Sequence, residues 1–419
     1  MLTKRRTFNK LGLASAATGL VGGAAHAQAK PITVGFGMAL TGGLAPNGKA
    51  ALLGMQLAEE DINARGGILG RPVKLVYYDD QSNPSTVPGL YTKLMDVDKV
   101  DIMVSGYATN MIAPAMPIVM QKDRAFLALF GLAVNSTFKY PRYFSVQPAG
   151  GPRPKEAFAE GFFEVAMAQN PKPQTLAMVG ADAEYPHHAL EGVRNIAKKH
   201  NLKVVYDKFY PPATADYTPV VRAAAATNPD IFFAASYPPD TVGLVRASHE
   251  IGFKPKVFGG GMVGLQATAI KTQLGPLLNG ITVYDFWLPW AGFATDEGRD
   301  VVKRYQGRAA AAGVDLLGYY IPPFSYALMQ VVEQAVKGAG STDDAKLADF
   351  MRKATFKTVV GDIKFNAEGE WQEPQVIAVQ FQGVSGNSVD QFRDPKTEVI
   401  LWPAKYKTGD MIYPYDPKK

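Results

Sequence analysis

The sequence predicts an α/β protein with two similar lobes, each formed by a mostly parallel sheet with helices on its faces. Three observations lead to this prediction. Short apolar runs alternate with amphipathic stretches, this alternation restarts near residue 175, and no low-complexity linker sets the last third apart. Regular alternation of strands and helices favours parallel sheets that helices cover on both sides. At 419 residues the chain is long enough for two lobes with separate cores.

The first block of alternating elements starts with a buried strand at 32–40, which Thr41-Gly42-Gly43 ends. A helix is predicted over 50–65, because apolar residues recur there at helical spacing and Gly66-Gly67 provides a stop. Three more strand-like runs complete the block, at 73–78, 101–105 and 126–130. These elements are sufficient for one parallel sheet.

The second block repeats the pattern. Its strands are predicted at 175–180, 204–210 and 230–235, and its helices at 186–200, 213–227 and 240–251. A further short strand opens at 257–258, before Gly259-Gly260-Gly261.

The last third adds strands at 281–287, 359–365 and 376–381, and helices at 295–312, 320–337 and 343–354. We expect these elements to complete the two lobes, which requires several chain crossings between them.

Residues 1–27 have the features of an export signal. Lys4, Arg5, Arg6 and Lys10 precede an uncharged apolar stretch, and Ala25-His26-Ala27 predicts cleavage after Ala27. The pair Arg5-Arg6 resembles a twin-arginine signal, although a general secretory signal remains open. The apolar stretch is too short for a membrane span. We therefore expect a periplasmic protein that is not inserted in the membrane after cleavage.

Composition excludes several other classes. The chain has no cysteine, so it forms no disulfide and offers no lipid-anchored cysteine. Part of its formal net charge of +6 lies in the export signal, and no Lys/Arg stripe predicts nucleic acid as a partner. Neither a G-x-S-x-G nor a Walker-type motif is present.

Two motifs could indicate an enzyme, but neither is sufficient for that interpretation. His187-His188 lacks further ligands at zinc-site spacing, so both side chains are expected at the surface. The glycine run at 259–261 is too isolated for a dinucleotide fingerprint. We expect no metal, no cofactor and no catalysis, and an exported enzyme is the least favoured alternative.

The run Asp61-Ile62-Asn63-Ala64-Arg65-Gly66-Gly67-Ile68-Leu69-Gly70, followed by the strand that ends in Asp79-Asp80, resembles the periplasmic leucine/isoleucine/valine-binding proteins. Leu40-Thr41-Gly42 and Gly48 fit the first strand and loop of that family. The order of elements agrees over nearly the whole exported chain.

This resemblance implies a Venus-flytrap fold whose hinge consists of three crossing strands, near Ala149, Val283 and Glu373. It divides the chain into one lobe of 28–149 plus 284–372 and another of 150–283 plus 373–419. The implied function is to capture a small molecule between the lobes and deliver it to the separate permease and ATPase of an ABC importer. We expect a monomer, and a ligand-sensing role for a membrane receptor stays open.

The resemblance places the ligand at four loops that follow strands. In the first, Tyr107, Thr109 and Asn110 precede a helix expected near Met111, and Asn110 stands where the family has a carboxylate-binding serine. Thr109 and Asn110 could equally cap that helix. In the second, Gly131 permits close backbone approach, and Ala133 replaces a threonine of the family.

The remaining loops supply Tyr185 and Tyr237, which match cleft tyrosines of the family. Met262 is the most informative departure, because amino-acid-binding relatives have a glutamate there for the ligand ammonium. An unpaired ammonium in a closed cleft is costly. Arg153 near the first crossing is also unusual for an amino-acid binder, although it could be a simple surface residue.

These departures predict a small apolar or aromatic carboxylate as ligand, rather than a standard α-amino acid. A branched-chain amino acid or an amide remains the alternative. The aromatic run at 284–290 could form a wall of the cleft, but packing between the lobes is the preferred interpretation.

Overall fold

The computed structural model describes residues 30–416. The predicted export signal lies outside the described residues. Among the residues that are described, no helix combines the length and the apolar character needed to cross a membrane.

Within this range the strands are β1 (Ile32–Met38), β2 (Val73–Asp79), β3 (Ile102–Val104), β4 (Phe126–Ala128), β5 (Tyr143–Ser145), β6 (Thr175–Ala181), β7 (Lys203–Tyr210), β8 (Ile231–Ser236), β9 (Val257–Met262), β10 (Thr282–Asp285), β11 (Thr355–Thr358), β12 (Gly361–Lys364), β13 (Ile377–Phe381) and β14 (Glu398–Trp402).

The α-helices are α1 (Ala45–Ala64), α2 (Val87–Asp96), α3 (Thr109–Ile112), α4 (Met116–Gln121), α5 (Asn135–Phe138), α6 (Pro154–Met167), α7 (Glu184–Lys199), α8 (Thr218–Ala225), α9 (Pro238–Glu250), α10 (Thr268–Leu274), α11 (Asp296–Ala312), α12 (Pro322–Ala339) and α13 (Asp344–Lys353).

Two main sheets confirm the predicted α/β fold with two lobes. The first sheet has the order β2-β1-β3-β4-β5, and all its neighbours are parallel. The second has the order β14-β13-β10-β9-β8-β6-β7, parallel from β7 to β10, with β13 and β14 antiparallel at one side. We call the part that carries β1–β5 the first lobe and the part that carries β6–β10 the second lobe.

The last third of the chain adds to both lobes, as the sequence predicts. Helices α11 and α12 pack against α1 of the first lobe. Arg304 of α11 forms two hydrogen bonds with the Asp61 carboxylate of α1, at 2.7 and 2.9 Å. Strands β13 and β14 extend the second sheet, and β11 and β12 form a separate hairpin.

The residue block that carries the family resemblance has a clear structural role. The Asn63 side chain accepts a hydrogen bond from the Val73 N–H at 2.7 Å and donates one to the Val73 carbonyl at 2.9 Å. Gly67 has a φ of 76°, and a Cβ there would lie 2.0 Å from the Arg71 carbonyl oxygen. The block therefore fixes the end of α1 to the start of β2 through one amide side chain and one glycine.

Several predicted element boundaries differ from the structure. The helix predicted over 50–65 begins earlier, at Ala45, and the helix predicted over 213–227 is confined to Thr218–Ala225. The run predicted as one strand at 359–365 is the second strand of the β11–β12 hairpin.

The strand predicted to open at 257–258 continues through the glycine run. Gly259 and Gly260 lie inside β9, which pairs with β8 on one side and β10 on the other. Gly259 has a φ of 141°, and a Cβ there would lie 1.8 Å from the Thr282 carbonyl oxygen. Close approach to β10 therefore requires glycine at position 259, and a Cβ at Gly260 would lie 2.5 Å from the Phe233 ring of β8, so neither glycine marks a turn.

Candidate functional site

A cavity of about 710 Å³ lies between the two lobes. On the first lobe it is lined by residues that follow β1, β2 and β3, among them Leu44, Ser82 and Asn110. On the second lobe it is lined by residues that follow β6 and β8, among them Glu184 and Tyr237. Open α/β sheets bind ligands beyond the carboxyl ends of their strands, where the strand order reverses. In both sheets that reversal faces this cavity.

The loop after β3 is held by close backbone packing and by the loop after β4. A Cβ at Gly106 would lie 2.1 Å from the Gly37 carbonyl oxygen, so the loop passes directly over β1. The Thr109 hydroxyl oxygen accepts a hydrogen bond from the Leu132 N–H at 3.0 Å. Tyr107 and Phe130 form a parallel bridge. The two loops are therefore one rigid surface at the edge of the cavity.

Asn110 contacts the second lobe directly. Its side-chain oxygen accepts a hydrogen bond from the Tyr185 N–H at 3.0 Å. Tyr185 lies in the first turn of α7, where backbone N–H groups have no partner inside the helix. Asn110 therefore provides a hydrogen-bond acceptor for one of these N–H groups from the opposite side of the cleft.

A cluster of tyrosine side chains lies behind this contact. The Tyr185 hydroxyl donates to the Gly261 carbonyl at 2.7 Å, and its ring packs against Tyr237 with 5.3 Å between the centroids. The hydroxyls of Tyr284 and Tyr320 lie 2.9 Å apart. Burial raises the pKa of the Tyr107, Tyr185, Tyr284 and Tyr320 hydroxyls, so these groups stay neutral hydrogen-bonding partners at physiological pH.

Phenylalanine rings join the cluster and connect the lobes. Phe286, which follows β10, packs edge-on against Phe130 at 5.4 Å and stacks on Tyr320 at 5.9 Å. Phe158 of α6 lies 4.5 Å from Tyr284 and 6.5 Å from Phe286, measured between centroids. The start of the predicted aromatic run at 284–290 thus packs against rings of α6, of the loop after β4 and of the segment before α12, and its rings do not line the cavity.

The charged side chains that line the cavity are acidic. Asp182, Glu184 and Asp240 are among its lining residues, whereas no Lys, Arg or His is. The Asp240 carboxylate accepts hydrogen bonds from the hydroxyls of Tyr210 and Tyr217, at 3.1 and 3.0 Å. Burial raises the pKa of Asp240, and these hydrogen bonds oppose the shift. In residues 30–416 no group of three or more His, Cys, Asp or Glu side chains could hold a metal ion.

A family model described as periplasmic binding protein matches residues 31–383. The chain belongs to this family. An amino acid binding protein of Pseudomonas aeruginosa is 24% identical over 382 residues, 90% of this chain and 97% of the relative. The Leu/Ile/Val-binding protein of Escherichia coli is 22% identical over 344 residues, 82% of this chain and 89% of the relative.

Solved structures show the same fold at low sequence identity. A leucine binding protein from Thermotoga maritima superposes with a TM-score of 0.72 at 19% identity, over 84% of this chain and 96% of that one. A solute binding protein from Rhodopseudomonas palustris in complex with benzoate gives 0.69 at 18% identity, over 88% and 95%. Another, in complex with 3,4-dihydroxybenzoic acid, gives 0.70 at 17% identity, over 85% and 94%. The resemblance to Leu/Ile/Val-binding proteins inferred from the sequence is confirmed.

The structure of this periplasmic binding protein places two of the nine predicted site residues in the cavity lining and two more beside them. Asn110 and Tyr237 line the cavity, and Tyr185 contacts both of them. Tyr107 is buried in the loop beside Asn110. The Thr109 hydroxyl oxygen accepts a hydrogen bond from the Leu132 N–H, so this side chain acts within the first lobe.

The other predicted residues do not line this cavity. Gly131 and Ala133 are buried in the loop after β4, and Met262 is fully buried at the end of β9. Arg153 lies exposed at the N-terminus of α6 and has no ion pair or hydrogen-bond partner for its side chain among the described residues. Its placement gives it no contact with the cleft cluster.

Three residues near the cleft, none of which lines the cavity, were not predicted from the sequence. Tyr320 joins the tyrosine cluster from the start of α12, and Asn47 in α1 lies close enough to Tyr107 to form a hydrogen bond with it. His188, expected at the surface, is buried, because it packs against the loop after β4. The expectation for His188 is therefore wrong, while His187 is exposed as predicted. Only the spatial neighbours of these residues identify them.

Proposed function

We propose that this chain is the extracytoplasmic solute-binding component of an ABC importer of the branched-chain amino acid type. We further propose that its ligand is a small apolar or aromatic carboxylate. One observation carries the choice of ligand: Met262 stands where the family resemblance calls for an ammonium-binding glutamate, while the tyrosine rings of Tyr217 and Tyr237 line the cavity. The complexes of two relatives with benzoate and 3,4-dihydroxybenzoic acid support it.

The chemistry of the cleft supports an acid with an aromatic or apolar body. Aromatic faces bind such a body through burial and ring contacts. The Tyr237 hydroxyl and the side-chain amide nitrogen of Asn110, whose residues both line the cavity, are the donors that we propose for the carboxylate. Hydrogen bonds to a charged acceptor are stronger than those between neutral groups. Arg153, which is exposed, is not required for this mode of binding.

A branched-chain amino acid is the second candidate. The acidic residues that line the cavity favour it, because Glu184 or Asp240 could pair with an ammonium group. The names of the relatives agree with this alternative. Asp240 is already held by two tyrosine hydroxyls, however, and the deep cleft contains no carboxylate in the place of Met262.

The proposed lobes have the boundaries that the sequence predicts. We propose one lobe of 28–149 plus 284–372 and another of 150–283 plus 373–419, with the ligand bound by hinge closure. The path of the chain supports these boundaries: β5 ends the first sheet at Ser145, and β10 leaves the second sheet at Asp285 before α11 packs on α1. We also propose a periplasmic monomer whose permease and ATPase are separate proteins.

The decisive experiment is a thermal-shift and calorimetry screen of the purified exported chain. The probes are benzoate, 3,4-dihydroxybenzoate, leucine, isoleucine and benzamide. A ligand at about 100 times its Kd stabilises the native state by about 2.7 kcal/mol. We expect stabilisation by the acids and none by leucine. Leucine binding at low micromolar concentration, without binding of the acids, would refute the proposed ligand class.

Two additions make the screen specific. Tyr237→Ala should weaken binding of the acid, whereas Tyr206→Ala, on β7 and outside the cavity lining, should leave it unchanged. Mass spectrometry of the recovered ligand tests the absence of catalysis, since a binding protein returns it unaltered. Loss of labelled-acid uptake on deletion of the gene would distinguish transport from a purely sensory role.

A further inference from the structure

Several hydrogen bonds connect the lobes directly, without any ligand atom, and two of them join α7 to loops of the first sheet. Nδ1 of His188 lies 2.7 Å from the Leu132 carbonyl oxygen, and the Tyr185 N–H donates to the Asn110 side chain at 3.0 Å. His188 and Tyr185 belong to α7, which follows β6 of the second sheet. Leu132 and Asn110 follow β4 and β3 of the first sheet. Opening of the cleft must break both contacts.

The geometry around His188 defines the roles of its ring nitrogens. A carbonyl oxygen only accepts hydrogen bonds, so Nδ1 carries the proton and donates to Leu132. Nε2 lies 3.5 Å from Oε1 of Glu184, one turn earlier on the same helix. The side chain is only 9% exposed. His188 is therefore a fixed, desolvated donor rather than a mobile surface group.

The acceptor is fixed as well. The Leu132 N–H donates to the Thr109 hydroxyl oxygen, and the following residue, Ala133, has a φ of 51°. Leu132 itself is fully buried. Because both partners are held by their own lobes, the hydrogen bond forms only when the lobes reach one particular relative orientation.

We propose that His188 and Asn110 form an interlobe clasp that stabilises and orients the closed cleft independently of the ligand. His188 is a positioning residue, since it does not line the cavity. A ligand that binds the closed form gains affinity in proportion to the population of that form. The clasp would set the affinity of whatever solute is bound, so the inference does not depend on the proposed ligand class.

The effect of removing one contact can be bounded. A net contribution typical of a protein hydrogen bond corresponds to roughly a two- to tenfold change in an equilibrium constant. We expect His188→Ala to lower the ratio of closed to open molecules by this factor. His188→Asn should restore most of it, because the asparagine amide nitrogen is attached at the same side-chain position as Nδ1.

The chain has no cysteine, which permits a clean distance measurement. Ala345→Cys on α13 of the first lobe and Lys198→Cys on α7 of the second are exposed positions for a donor and an acceptor dye. Single-molecule energy transfer then reports the closed fraction without ligand, for the labelled protein and for its His188→Ala, His188→Asn and His187→Ala versions. His187 is the matched control, since it is adjacent, exposed and bound to Asp182.

The expected result is a lower closed fraction in His188→Ala alone, with a circular-dichroism spectrum like that of the parent. An equal closed fraction in all four proteins would overturn the clasp, and so would a parent protein that is open without ligand. Equal losses in His188→Ala and His188→Asn would also overturn it, because they would show that the hydrogen bond is not what matters. The measurement is made without ligand, so failure of the acid screen leaves its interpretation intact.

Discussion

Replacing Glu370 by glutamine should remove a large part of the pH dependence of stability. Glu370 is only 2% exposed, and neither of its carboxylate oxygens has a hydrogen-bond partner within residues 30–416. Burial, with a smaller contribution from Glu368, raises the pKa of Glu370 from 4.5 to about 8. The carboxyl group is therefore neutral in the folded protein at pH 7, whereas it is ionised in the unfolded chain.

The sign and size of the effect follow from linkage. The folded state binds the proton more tightly, so the contribution of Glu370 to stability is fully present below pH 4.5 and is lost as the pH rises through 8. At 1.36 kcal/mol per pKa unit, the free energy of unfolding falls by about 3 kcal/mol from pH 4 to pH 7 because of this group. Glu370→Gln has nothing to titrate and should not show this decrease.

Urea denaturation of the native protein and of Glu370→Gln at pH 4, 7 and 8.5 measures the difference directly. All other titrating groups are common to both proteins and cancel in the comparison. Glu368→Gln is the control, because Glu368 is exposed and its removal should change the profile little. Parallel pH profiles for the native protein and Glu370→Gln would refute the assignment of a neutral, buried carboxyl group.

Two further substitutions test the cleft and the second lobe. Tyr185→Phe leaves the Gly261 carbonyl without its donor and should lower the free energy of unfolding by about 1–2 kcal/mol; an unchanged urea midpoint would contradict the assigned hydrogen bond. In the native protein the Glu398 carboxylate pairs with Lys271 at 2.5 Å in the interior. Lys271→Met leaves this carboxylate without its partner and should lower the free energy of unfolding by about 3–5 kcal/mol. Adding Glu398→Leu should recover most of this loss, and a double variant less stable than Lys271→Met would show that the pair does not act as a unit.

Most of the fold could be predicted because the signals are local. Apolar runs followed by helical periodicity identify most strands of both sheets, although β5, β14 and α6 were not predicted. The double glycine at 66–67 ends α1 within two residues of the predicted boundary. The hydrogen bonds of Asn63 to Val73 show why this block has so recognisable a sequence. The contact of Asp61 with Arg304 spans most of the chain and leaves no local pattern.

The β9 strand shows where such signals fail. Glycine normally weakens a strand, so Gly259-Gly260-Gly261 resembles a loop in the sequence. In the structure the carbonyl of Thr282 occupies the space that a Cβ at Gly259 would need. That requirement arises from β10, which lies more than 20 residues later, and cannot be inferred from the run itself.

The site was predictable where the resemblance supplied a position, and not where only packing supplies one. Asn110, Tyr185 and Tyr237 lie together at the cleft, and their role in binding a ligand stays a prediction. Asn110, however, uses its side-chain oxygen to accept a hydrogen bond from the other lobe, a role that a serine-like ligand contact does not imply. His188 gave no signal, since a pair of adjacent histidines is usual at a helix surface and its partner, Leu132, is more than 50 residues away.

The direct contacts between the lobes change what a ligand has to provide. In a cleft that closes only through the ligand, the ligand must supply the whole difference in free energy between the two forms. Here the hydrogen bonds of His188 with Leu132 and of Tyr185 with Asn110 would already favour closure. Under the proposed ligand class, a small acid with few polar groups would then bind well, because it would need only to fit the cavity and satisfy its carboxylate. Specificity of such binding would depend on the shape of the cavity lining rather than on pairing with a ligand ammonium, which agrees with a methionine at position 262.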